Sequence, residues 1–132
     1  MLYPMFTLVL ITLAIIIIAA RARIASVRQD TVPLNYYALM SGADVPAFIT
    51  KSTRHVSNLF EVPTLFYAGG AVYLALDMTE TFPVYCAWAY VAARVVHSFI
   101  HLGYNNVLHR LLVFGTSNII LLVMWISIVI SQ

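Results

Sequence analysis

Two charged residues, Glu61 and Arg94, sit inside long apolar stretches, and each anchors a polar set at helical spacing. Arg54, Asn58 and Glu61 fall at i, i+4 and i+7; Arg94, His97 and His101 fall at i, i+3 and i+7. At 3.6 residues per turn each set shares one face of a helix. An ionisable group in the middle of a bilayer costs about 2.5–3.5 kcal/mol or more, so it persists when it pairs or lines a site. Guanidinium groups there can receive an anion. Histidines four apart on a helix have metal-ligand spacing.

The two stripes can meet only in the interior of a helix bundle or at a subunit interface. Glu61 and Arg94 lie at similar depths, which predicts an ion pair between them. For His97 and His101, no acidic residue is adjacent in sequence, Cys86 is the only cysteine, and His109 lies beyond a break at Gly103. The expectation is therefore no metal, with the imidazoles hydrogen-bonded inside a polar layer. Arg110 stands at the edge of the last apolar stretch. It either snorkels toward water or holds an anion entering from that side.

These residues need long helices to position them. The chain has 132 residues, 62% of them hydrophobic and only 9% charged, against about 25% charged in a soluble domain. Mean hydropathy is +0.91. The net charge of +2 and the lack of a basic patch with interleaved aromatics exclude nucleic acid as a partner. Cys86 cannot close an intrachain disulfide. Four spans are expected, at about 2–20, 55–76, 82–102 and 111–130, within a single domain covering residues 1–132. Each is about 30 Å long as a helix, enough for the hydrocarbon core. Helices are required because lipid offers exposed backbone groups no partner. Ala20-Arg21-Ala22 resembles a cleavage site, but the first apolar run is too long for a signal core and has no basic residue before it.

The fold class is thus all-α: a four-helix antiparallel transmembrane bundle. Arg21, Arg23, Arg28, Lys51 and Arg54 flank the first connection and Arg110 the third, whereas the second carries Asp77 and Glu80. The positive-inside rule then leaves both termini of this multi-pass chain non-cytoplasmic. The long first connection holds Pro33, Gly42 and Pro46, with an apolar Tyr36–Met40 segment that either caps a site or only tethers. Pro63 is expected to kink the second span. Gly69, Gly70 and Gly115 are expected to let helices approach closely.

At these residues the chain resembles the membrane-associated proteins of eicosanoid and glutathione metabolism. Arg54-His55-Val56-Ser57-Asn58-Leu59-Phe60-Glu61-Val62-Pro63 is similar to the family's Arg…Asn-x-x-Glu signature in helix two. Ala93-Arg94-Val95-Val96-His97 is similar to the Arg-x-x-His segment of helix three, and Arg110 falls where the family has a thiol-activating arginine. The resemblance spans essentially the whole chain. It implies a homotrimer in the lipid bilayer that binds glutathione between subunits near the cytoplasmic side. It further implies that Arg110 is catalytic, and that Arg54, Asn58, Glu61, Arg94, His97, His101 and, more loosely, Arg21 bind glutathione.

The family pattern is not complete here. Ser57 replaces a basic residue before the asparagine, and His101 and Phe114 replace two tyrosines; Tyr104 is near but displaced. The activity that the resemblance implies is a glutathione-dependent transferase or peroxidase acting on lipophilic electrophiles or lipid hydroperoxides. The replacements favour an alternative, a non-enzymatic lipid-binding or scaffold protein on the same fold. A transporter using Glu61 ranks last, because spans one and four offer almost no polar path.

Overall fold

The computed structural model describes residues 1–40 and 45–131. The breaker Gly42 lies outside them. Six helices follow one another: α1 (Leu2–Arg28), α2 (Tyr36–Leu39), α3 (Ala47–Glu61), α4 (Pro63–Ala75), α5 (Thr81–Leu102) and α6 (Val107–Ile130), with no strand among the described residues. α1 and α6 are each long and apolar enough to cross a membrane. α5 has the length, but Arg94, His97 and His101 lower its hydropathy.

The second predicted span is two helices. Pro63 has no N–H to give to the carbonyl one turn back, and the helix breaks at Val62. Around the break, the Thr64 hydroxyl donates to the Glu61 carbonyl and Leu65 N–H to the Val62 carbonyl. The ladder is thus interrupted where proline was expected to disturb the helix, while the backbone at Val62 stays helical, φ −64° and ψ −37°.

Helix ends differ from expectation where charge begins. α1 continues two turns past Ala20 to Arg28, since Ala and Arg are good helix formers. α3 begins at Ala47, well before His55, and buries Ile49, Ser52, His55 and Leu59 on one face. α6 starts at Val107, where the Asn106 side chain caps it by accepting from the His109 N–H at 3.0 Å. α2 is a single turn fastened to the end of α1 by a Tyr37–Ser26 hydroxyl contact of 2.7 Å, with Arg23 over the Tyr37 ring.

Short connections after α4 and α5 make consecutive long helices antiparallel. Asp77 and Asn105 turn these corners with left-handed backbone, φ 49° and 53°; a short polar side chain tolerates this conformation better than most. α5 lies along α6, α1 packs on α3, α4 and α5, and α4 closes the bundle against α6.

The interior divides in two along its length. One half is an apolar core of Leu8, Phe66, Tyr73, Tyr90, Leu121, Met124 and Ile128, with Phe66 stacked on Tyr90 at 4.7 Å. Here Gly69 lets Met124 and Trp125 approach so closely that an added Cβ would meet them at 2.9–3.0 Å, and Gly70 admits Met5. Trp125 Nε1 donates to the Leu65 carbonyl at 3.0 Å. Gly115 has open space instead, so its expected close approach is not present within the chain. The other half holds the polar residues.

Candidate functional site

Arg94 is fully buried where the two halves meet. Its Nη2 donates to Asn58 Oδ1 at 2.5 Å and to the Asn58 carbonyl at 3.4 Å, while Nε and Nη1 have no partner. All three guanidinium nitrogens are thus accounted for, and none bonds Glu61. The expected Glu61–Arg94 ion pair is corrected to an Arg94–Asn58 pair. The reason is angular. Glu61 lies at the last residue of α3 and points outward, exposed, as does Arg54. Asn58 is the only member of that stripe that reaches inward.

The inward face of α3 carries His55 instead, which the sequence stripe passed over. His55, His97 and His101 are all buried, at 0%, 3% and 3% exposure. Their rings form one cluster, with centroids 4.8–5.8 Å apart. His55 Nε2 bonds Ser98 Oγ at 2.9 Å, and Ser98 in turn donates to the Arg94 carbonyl at 2.8 Å. Neither nitrogen of His97 has a hydrogen-bond partner, so the expected hydrogen-bonded histidine layer is not what forms.

Asn58, His97, His101 and Arg110 converge on one pocket of about 250 Å³, completed by Phe114, Val107 and Leu111. The close run of α5 beside α6 brings His97 and His101 to Arg110. Asn105, at the corner between these helices, accepts from Arg110 Nη1 at 2.8 Å and fixes its direction. Arg110 Nε is buried without a partner. Phe114 stands 5.8 Å from both the His97 ring and the Arg94 guanidinium carbon.

Of the predicted site residues, the structure joins Asn58, His97, His101 and Arg110, with Arg94 attached through Asn58. Arg54 and Glu61 lie on the outer face of α3. Arg21 is exposed on α1 in a separate recess beside Arg28 and Gln29. Ser57 is exposed, and Tyr104 is turned to His109 at 2.9 Å. Sequence reading missed His55, Ser98 and Asn105. An inward period through Ile49, Ser52, His55 and Leu59 was the signal for the first.

The pocket and the buried layer behind it, where Arg94 lies, hold a surplus of donors. A buried donor with no partner costs about 1–3 kcal/mol, more when charged, and three such nitrogens belong to Arg94 and Arg110. That is the chemistry of a site for an anion. No curated protein and no solved structure matches the chain. The MAPEG family matches it over residues 1–130, a stretch that includes every residue of this pocket, and the chain belongs to that membrane family.

Proposed function

We propose that this chain is a glutathione-dependent membrane transferase or peroxidase acting on lipophilic electrophiles or lipid hydroperoxides, and that it works as a homotrimer of four-span subunits. The observation that carries this reading is Arg110. It stands in a polar pocket with Asn58, His97 and His101, is aimed by Asn105, and has a buried Nε with no partner.

Glutathione brings two carboxylates, an amine and a thiol, and the donor set suits the carboxylates. Bound there, its thiolate would bond to the electrophilic carbon of a substrate dissolved in the lipid as the leaving group departs with its electron pair. With a lipid hydroperoxide it would break the O–O bond, releasing the alcohol, and a second glutathione would displace hydroxide from the sulfenic acid to give water and the disulfide. Arg110 favours negative charge on that sulfur, as a neighbouring guanidinium does for any thiol. Asn105 keeps Arg110 directed into the pocket. Arg94 and the imidazoles offer the remaining donors.

The outer face of α3 supports the trimer. Arg54 and Glu61 are exposed on a single subunit, and a carboxylate within a membrane-spanning segment faces a bundle interior or a cavity rather than lipid. A second subunit against this face satisfies that requirement and makes Arg54 and Glu61 part of an intersubunit site. Arg21 is the more remote candidate. The basic ends of α1, α3 and α6 favour a multi-pass topology with non-cytoplasmic termini.

The test is turnover of a lipophilic electrophile with glutathione. Arg110→Ala abolishes activity and leaves the oligomer intact; unchanged turnover contradicts the proposal. One observation favours a second reading, a lipid binder without thiol chemistry. An apolar groove of about 570 Å³ runs between α1 and α5, lined by Ile11, Ile15, Ile18, Phe48, Val95 and Phe99. That reading predicts co-purifying lipid and no glutathione binding.

A further inference from the structure

The histidine cluster has features that anion binding does not require. One nitrogen from each of His55, His97 and His101 lies within 4.8 Å of the others. These side chains come from two elements, α3 and α5, so the site exists only once the bundle has formed. Buried imidazoles normally find hydrogen-bond partners, yet His55 Nδ1, both nitrogens of His97 and His101 Nδ1 have none.

The tautomer of His55 follows from its neighbours. The Ser98 proton goes to the Arg94 carbonyl, so Ser98 Oγ accepts, and His55 Nε2 carries the hydrogen. Nδ1 is then a bare lone pair, buried and without a hydrogen-bond partner. A metal-ligating histidine characteristically donates its other ring N–H to an oxygen in this way.

We propose that His55, His97 and His101 bind one transition-metal ion of the imidazole-preferring kind, Zn2+ or a close equivalent, with a further coordination position open to the pocket. Tetrahedral Zn–N bonds of about 2.0–2.1 Å place ligand nitrogens about 3.3 Å apart. Small side-chain rotations close the cluster to that spacing. His97 and His101 also form the pocket wall, so the remaining position faces Asn58 and Arg110. Three imidazoles are neutral, and Arg94 and Arg110 add positive charge nearby. The fourth ligand is therefore an anion, such as chloride, a carboxylate or a thiolate. This site does not depend on glutathione, and its test contains none.

The probe is Co2+ alone, titrated in chloride buffer into detergent-purified, chelator-stripped protein carrying no polyhistidine tag. Intense visible bands of four-coordinate Co2+, saturating at one ion per chain, are expected. His97→Ala and the milder His101→Gln lose the bands at unchanged helix content. Ser98→Ala, which removes the orienting partner of His55, weakens binding about 10–100-fold. His109→Ala, an exposed histidine outside the cluster, binds as the parent does. Absence of saturable bands in the parent protein overturns the proposal, as does their full retention in folded His97→Ala or His101→Gln.

Discussion

Arg94 is a residue that is costly to leave without its partner. It is fully buried, and its hydrogen bonds run to Asn58 alone. Hydrogen bonds to charged groups contribute about 1.5–3 kcal/mol, so Asn58→Ala lowers stability by about that amount in a reversible unfolding experiment. A double-mutant cycle then shows stronger coupling between Asn58 and Arg94 than between Glu61 and Arg94, which share no hydrogen bond; the reverse order restores the ion pair expected from sequence. Phe114 sets a second test. Phe114→Tyr adds a hydroxyl to a ring that lines the pocket, and one added hydrogen bond to a ligand contributes about 0.5–1.5 kcal/mol. Glutathione affinity measured by calorimetry rises about 2–10-fold; no gain means that the ring does not face the ligand. The site was partly legible in the sequence. Asn58, His97, His101 and Arg110 were found by polarity and spacing. His55 is not legible from polarity, because the most polar stripe of α3 is not its inner face; the inner face carries His55 one residue further round from Arg54, with Leu59.

Helices in this chain are recognisable where hydrophobicity alone defines them. A helix was expected at about 82–102, and α5 is Thr81–Leu102. The C-terminal end of α1 and the start of α3 extend beyond the expected bounds because hydropathy fades there while helix propensity and one-sided burial persist. A break at Val62 followed from the chemistry of Pro63. Close packing at Gly69 is a property of α4 and α6 together. Gly69→Val pushes a branched side chain into Met124 and the Trp125 ring, and overpacking of this kind costs about 1–3 kcal/mol. Thermal unfolding reads the loss, and a shifted Trp125 fluorescence reports the broken contact with the Leu65 carbonyl. The same substitution at Gly115, which meets open space, leaves the stability of the single chain nearly unchanged.

At the scale of the whole molecule the bundle separates two tasks. The apolar half around Phe66, Tyr90 and Met124 holds the helices together; the polar half carries unpaired donors of Arg94 and Arg110 in and beside a pocket. An exposed Glu61 on α3 predicts that the subunit is not the working unit. Crosslinking in native membranes yields bands up to a trimer, and Glu61→Arg, which puts like charge beside Arg54 on that face, reduces them. Monomer alone in the parent protein contradicts this assembly.

The most direct test of the central claim is a calorimetric titration of glutathione into the detergent-purified protein, with Arg110→Ala as its control. Saturable binding to the parent that is lost in Arg110→Ala is the predicted result. Absence of binding at millimolar glutathione, or equal binding by the variant, contradicts the account of Arg110 as the anchor of the site.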